Sequence, residues 1–255
     1  MNQVEYVLDF AADLGRRMLC TGANLERVDD TMNRICISYG LKEISIYSLS
    51  STIMISAKDE DDIYGSRQVS VPPAGIHLEK LDRLNRLSRK ICSETPPPEA
   101  LADILKEACD VKEYTTPLVI LGYLIAMTSL CVIFGGSFGD VAAADCITFA
   151  LFWINRWLTK PNLNHIVVNT VCMWLAGAFA ILLVKLGIGE HYFTIIITNS
   201  MMMIPGIPLV NAVRNILCGN EMNGILEFLK VILETLAIVL GLVLSIYMFG
   251  GLIQW

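Results

Sequence analysis

The chain has 255 residues, 54% of them hydrophobic, and a mean hydropathy of +0.55, more apolar than an ordinary soluble domain. Of its 19 Lys+Arg and 25 Asp+Glu residues, 14 and 19 fall within residues 1–115, so the front carries a net charge of −5 and presents no nucleic-acid surface. The eight cysteines form no CxxC pair and lie in both halves, which argues against a disulfide scaffold or a zinc site and for reduced, packed thiols.

Val4, Val7, Leu8, Ala11, Leu14 and Met18 follow helical spacing and predict a first amphipathic helix over about 3–20. Glu5, Asp9, Asp13, Arg16 and Arg17 interrupt any apolar core of a signal peptide, so none is expected. "TGAN" breaks this helix, and Asn24 is placed to cap a second one that carries Leu25, Val28, Met32 and Ile35 and ends at Gly40. "EISIYSLSSTIMISA" (43–57) and "SRQVSV" (66–71) are β-branched and partly alternating, which predicts two or three short strands. The acidic run "KDEDD" (58–62) lacks calcium-loop spacing and reads as a solvated hairpin tip. A helix follows over about 76–93, then Pro96-Pro97-Pro98 as a stiff linker, then an amphipathic helix with Leu101, Ile104, Leu105 and Ala108.

Beyond residue 113 the pattern changes to membrane spans of about 20 residues each. Five are predicted, over about 114–139, 142–158, 165–185, 192–213 and 228–250. The fold expected is therefore a membrane protein with an α+β cytoplasmic N-terminal domain (1–95), a Pro-started linker and amphipathic helix (96–113), and a bundle of five transmembrane helices (114–255). The fourth helix is broken at Pro205-Gly206-Ile207-Pro208. With the front half in the cytoplasm, Arg156, Lys160, Arg214 and Lys230 fall inside and only Lys185 outside, so the C-terminus is expected outside the cytoplasmic membrane.

The candidate chemistry concentrates in this back half. Pro205 and Pro208 each remove a backbone donor and Gly206 admits unusual backbone angles, so carbonyls are left unpaired deep in the span. Such carbonyls must be buried in protein or line a polar cavity. Two readings stay open: a transporter-type broken helix that offers a half-helix N-terminus to an anionic group, or a proline kink packed on a neighbour. Asn199 precedes the break, and Asn211, Arg214 and Asn215 follow it on one helical face. Arg214 is either a cytoplasmic topology anchor or a carboxylate clamp. Glu234, one turn past Lys230, is either a proton or cation site or the i,i+4 partner of that lysine. In "FGGSFGDVAAAD" (134–145) the glycines suit a tight turn, Asp140 suits an N-cap, and Asp145 is expected to face the bundle interior along a transport path.

In the front half, Gly22, Arg27 and Asp29 belong to a glycine turn and the first turns of the helix after it, where capping and dipole complementarity account for them. Histidines 77, 165 and 191 show no metal-ligand spacing, and Ser50, Ser51 and Thr52 have no base nearby and no nucleophile elbow. No metal or other cofactor and no enzyme activity is indicated.

In order along the chain, "GANLERVDDTMNRICISYGL", "SRQVSVPPAGIHLEKLDRLNRLSRKI", "FGGSFGD" and "IPGIPLVNAVRNILCGN" together resemble the threonine/serine exporter family over essentially the whole length. Family members commonly have Arg-Val-Glu where this chain has Arg27-Val28-Asp29, a shorter acid. The resemblance implies a secondary transporter in the cell inner membrane that exports serine and threonine or a dicarboxylate such as succinate. Single-chain members carry a second hydrophobic module. This chain is more similar to the larger subunit of a split form, and the resemblance implies a small hydrophobic membrane partner of about 150 residues, room for a handful of ~20-residue spans. A path through Asp140, Asp145, Asn199, the break, Asn211, Arg214 and Glu234 is expected, with the front domain gating or sampling substrate. The alternatives are a membrane-anchored hydrolase and a ligand sensor, each with the front domain as its active part.

Overall fold

A computed structural model describes residues 2–72, 75–110, 114–159 and 164–252. Lys160, counted above as an inside charge, lies outside the described residues, as do Pro73 and Ala74 and the linker's end at 111–113. The chain forms two compact units: residues 1–112 with 210–226, and residues 113–209 with 227–255.

In the first unit, α1 (Gln3–Cys20) and α2 (Leu25–Ser38) pack on a three-stranded antiparallel sheet of β1 (Lys42–Leu49), β2 (Thr52–Lys58) and β3 (Tyr64–Ser70) in the order β1-β2-β3. Asn24 caps α2 as its position predicts, its side-chain oxygen accepting from the Arg27 amide at 3.1 Å. A Cβ added to Gly15 would meet Met32 Sδ at 2.6 Å, so the glycine is what lets α1 and α2 approach. The β2 register pairs Ile53 with Val69 and Ile55 with Arg67. Ile53, Ile55 and Ala57 point into a core shared with Leu8, Leu14, Met18, Met32 and Ile35, while Met54 on the other face is exposed. The Arg67–Asp9 ion pair ties β3 to α1. The acidic run does form the hairpin tip, where Asp59 Oδ1 accepts from the amides of Asp61 and Ile63.

α3 (Leu78–Glu94) and α4 (Leu101–Cys109) close the same core through Leu84, Leu87, Ile91, Leu101 and Leu105. The Tyr39 hydroxyl donates to the Pro96 carbonyl at 2.8 Å and pins the proline segment between them. The unit also contains the end of α9 (Gly206–Leu217) and the start of α10 (Glu221–Phe249), although the linear pattern assigns both to the membrane domain 114–255. Asn24 Nδ2 donates to Asn215 Oδ1 at 3.2 Å, Asn223 Nδ2 donates to the Ser48 carbonyl at 3.1 Å, and Arg214 pairs with Glu26 at 3.6 Å. Gly224 permits the tight turn between α9 and α10, since a Cβ there would meet the Ala212 carbonyl and the Ile216 amide, each at 2.8 Å.

The second unit holds α5 (Thr116–Ile133), α6 (Phe138–Thr159), α7 (His165–Lys185), α8 (Tyr192–Met201) and most of α10. α5, α6, α7 and α10 are each long and apolar enough to cross a membrane, and the bent pair α8 and α9, at 59°, makes five if it is one span. Small residues set the closest approach in this unit. A Cβ on Gly177 would meet Ser245 Oγ at 2.5 Å, and one on Gly241 would meet the Thr170 carbonyl at 2.3 Å, so α7 and α10 touch nearly backbone to backbone. The first span is shorter than the uncharged run suggests, because Gly135 adopts φ +79° and ends it.

Candidate functional site

The loop "FGGSFGD" is a clamp built around Asp140, whose side chain is fully buried. Asp140 Oδ1 accepts from the amides of Glu190 and His191 at 2.7 and 2.8 Å, and Oδ2 accepts from the Ser137 amide and lies 2.8 Å from His191 Nδ1. The N-cap expected of Asp140 is supplied instead by Ser137, whose hydroxyl accepts from the Asp140 amide at 3.3 Å. Asp140 returns the bond, the reciprocity of a capping box. The carboxylate thus fastens the α7–α8 loop to the start of α6. Gly189 sits at φ +99° with Asp140 Oδ1 3.1 Å from where a Cβ would be, and a Cβ on Gly139 would meet the Gly189 amide at 3.0 Å. The carboxylate beside His191 raises the pKa of that ring, which lies in the loop and is half exposed.

The helix break has the form expected of two prolines around a glycine. α8 ends at Met201, a turn covers Met202–Ile204, and α9 starts at Gly206. The amides of Met203 and Ile204 bond back to the Ser200 carbonyl, and the Gly206 amide donates to Ile204 at 2.8 Å. Among the described residues the carbonyls of Met202 and Met203 accept no hydrogen bond. Met202 and Met203 line a cavity of about 140 Å³ together with Tyr123 of α5, Leu151 and Asn155 of α6, and Asn169 and Cys172 of α7. Tyr123, Asn155 and Met202 also line a more open cleft of about 480 Å³, shared with Phe152, Arg156 and Thr159. Arg156 is exposed and has no ion-pair partner among the described residues. The unit therefore brings together an unpaired guanidinium, two amides, a phenol and two unsatisfied backbone carbonyls at one helix break.

Two further polar pairs lie on α6. Thr148 donates to Asn199 Oδ1 at 3.1 Å with both side chains buried, and Thr128 donates to Asp145 Oδ2 at 2.7 Å. Asp145 Oδ1 is buried and unpaired. Thr148 lies two turns from Asn155 on the same face of α6, and Asp145 lies ten residues from Asn155, about 15 Å along the axis at 1.5 Å per residue. Glu234 is half-buried on α10 and forms no ion pair with Lys230.

The other expected residues lie in the first unit. Arg214 meets Glu26, Asn211 is half-buried on α9, and Asn215 is buried against Asn24. Gly22, at φ +94°, lets the α1–α2 turn pass Ile76, whose Cγ1 would lie 3.2 Å from a Cβ. The amide of Arg27 is capped by Asn24. Asp29 is largely buried near Ser48, yet Asp29 Oδ1 and Ser48 Oγ complete no hydrogen bond, and burial raises the carboxyl pKa against the lowering effect of that serine. Sequence reasoning misses Tyr123, Asn155 and Asn169 and takes Arg156 only as a topology charge, because single polar residues on separate apolar helices carry no spacing that links them.

The family model described as threonine/serine exporter matches residues 9–249. A "Threonine/serine exporter" of Corynebacterium glutamicum is 24% identical over 253 residues, which are 96% of this chain and 52% of that protein, so the chain spans about half of that relative's length. A "Probable succinate transporter subunit YjjP" of Klebsiella aerogenes is 23% identical over 238 residues, 91% of this chain and 90% of that protein. No solved structure matches the chain. The family and both relatives are transporters rather than enzymes. A match along nearly the whole chain, joined to four or five helices able to cross a membrane, makes this a multi-pass membrane protein that belongs to the threonine/serine exporter family.

Proposed function

We propose that the chain is one subunit of a secondary transporter that exports small carboxylate-bearing metabolites, serine and threonine or a succinate-like dicarboxylate, across the cytoplasmic membrane. The observation that carries this reading is the polar cavity at the broken helix, lined by Tyr123, Asn155, Asn169, Met202 and Met203 with Arg156 in the adjoining cleft. A guanidinium beside amide donors suits a carboxylate, and unpaired carbonyls suit an ammonium or hydroxyl at its other end. The Thr148–Asn199 and Thr128–Asp145 pairs continue the path along α6, and the unpaired oxygen of Asp145 is the site we assign to a coupling proton or cation. Glu234 is a second such candidate.

The positive-inside pattern supports a cytoplasmic N-terminus and an outside C-terminus, with Arg156 at the cytoplasmic mouth. Residues 1–95 form the cytoplasmic domain in this reading, 96–113 the linker and 114–255 the membrane domain of five spans. The relative named as a transporter subunit supports a two-component assembly, completed here by a small hydrophobic membrane protein. Uptake of labelled serine, threonine and succinate into inverted vesicles bearing the chain and its membrane partner tests the proposal. Arg156→Gln should cut flux by about ten-fold or more, the effect of losing one charge-assisted contact. Unchanged flux in Arg156→Gln and in an Asn155→Ala, Asn169→Ala double variant would remove this cavity from the path.

A further inference from the structure

The first unit contains a cleft of about 410 Å³ lined by Arg17, Cys20 and Thr21 at the end of α1, by Ile76 and His77 before α3, and by Lys80, Leu84 and Cys109. Among the described residues no acidic side chain lines it. Its cations come from two different helices. Arg17 engages Asp13 through Nε at 2.8 Å, which leaves the terminal guanidinium nitrogens free of that contact, and Asp13 also holds Arg16, so the trio keeps a net positive charge. Lys80 has no ion-pair partner among the described residues, whereas its neighbours on α3, Glu79 with Arg83 and Asp82 with Arg86, are paired with each other.

His77 adds a third donor by a geometric argument. Its Nδ1 accepts from the Lys80 amide at 3.2 Å as the N-cap of α3, so the ring carries its proton on Nε2. The backbone is built to keep this arrangement. The His77 amide donates to the Thr21 carbonyl at 3.1 Å, and the Thr21 hydroxyl is spent on the Arg17 and Met18 carbonyls. Gly22 makes room for Ile76, and the Cys20 thiol donates to the Pro72 carbonyl. α1, the 75–77 segment and α3 are therefore locked around the opening. Ile76 and Leu84 give it an apolar wall, and its volume exceeds what an inorganic anion fills.

We infer that this cleft is a second ligand site, separate from the membrane cavity, that binds a small organic acid by placing its carboxylate between Arg17, Lys80 and His77 and its carbon chain on Ile76 and Leu84. The site lies wholly within the first unit, so it does not depend on the export reading. In an exporter of carboxylates it would report cytosolic substrate to the protein.

Cys20 and Cys109 in the cleft wall provide the test, with the exposed Cys218 in the α9–α10 turn as the internal reference. The full-length chain in nanodiscs is alkylated with a maleimide at about pH 8.5, where even the Cys20 thiol, raised by burial, still reacts, and labelling rates are read peptide by peptide by mass spectrometry. Succinate, serine, threonine and inorganic phosphate are titrated separately. At least one of the organic acids should slow labelling of Cys20 and Cys109 about five-fold or more while Cys218 is unaffected. Lys80→Gln, a change at a half-buried cleft residue that is no part of the hydrophobic core, should weaken that protection about ten-fold, whereas Arg156→Gln should leave it unchanged. The inference is overturned if no organic acid protects, if phosphate protects as well as they do, or if Lys80→Gln has no effect on protection. Because the readout is thiol protection and not flux, an inactive membrane cavity would leave this result standing.

Discussion

Replacing Asp140 by Asn separates a structural from a transport role for the acid of "FGGSFGD". In the native clamp Oδ1 receives two amides and Oδ2 receives the Ser137 amide and the His191 ring. An Asn side chain can keep its oxygen on the Glu190 and His191 amides, but its NH₂ then faces the Ser137 amide, donor against donor, and the charge assistance of all four contacts is lost. Hydrogen bonds to a charged group contribute roughly 1.5–3 kcal/mol each, and a buried unpaired amide costs about 1–3 kcal/mol. Losing one bond outright and weakening the rest should therefore lower stability by about 2–4 kcal/mol, enough for a Tm drop on the order of 10 °C. A thiol-reactive dye that reports exposure of the buried Cys36, Cys131 and Cys172 during thermal unfolding measures it in detergent. The native advantage also has a pH signature. Asp140 raises the His191 pKa above its usual 6.5, so that part of the stabilisation is fully present below pH 6.5 and is lost as pH rises through the raised value. The Tm gap between native protein and variant should thus narrow as pH rises from 6.5 through that raised value. An unchanged Tm with abolished flux would refute the clamp and return Asp140 to the transport path.

Three other outcomes follow from the same geometry. Gly189→Ala should destabilise by about 1–3 kcal/mol, because it combines a positive φ with a Cβ 2.9 Å from Ile195 Cδ1, and thermal unfolding would show it. Pro205→Ala with Pro208→Ala should insert normally but reduce export several-fold, because a helix that runs through the break lets the Gly206 and Ile207 amides reach the Met202 and Met203 carbonyls. Full flux in the double variant would make the break a packing kink only. Asp29→Asn should hold or raise Tm at pH 7.5. The folded pKa of this acid is raised by burial, so the native protein gains stability as pH falls through that raised value toward the ordinary carboxylate range, and the variant should lack this gain. A lower Tm for the variant at pH 7.5 would show that the charged form is the stabilised one.

The parts of the fold with strong periodicity were readable in the residues themselves. α1, α2, α3 and the β2–β3 hairpin lie close to where the apolar spacing places them, because each buries one stripe or one face against a single core. The break at Pro205 was equally legible, since two missing amide donors act locally. What could not be read was which distant residues the break would meet. Tyr123, Asn155 and Asn169 come from three helices and become a cavity only through packing. Asp140 shows the converse. An acid near the start of a span reads as a path residue, yet three of its four contacts come from a loop some fifty positions away that no spacing rule connects to it.

The passage of residues 210–226 into the first unit has a consequence for how the molecule can be dissected. Asn24, Glu26 and Ser48 find partners in Asn215, Arg214 and Asn223, nearly two hundred positions later. A fragment cut at residue 112 would strip those partners away and leave freshly bared acceptors and the seat of a helical hairpin open to solvent. The excisable module is therefore discontinuous in the gene. A faithful miniature would splice 210–226 onto 1–112 through a designed tether. The short turn at Cys218–Asn220, where the hairpin reverses, is a position at which an inserted tag or cross-linker would be felt by the α/β unit and by the helix break at once.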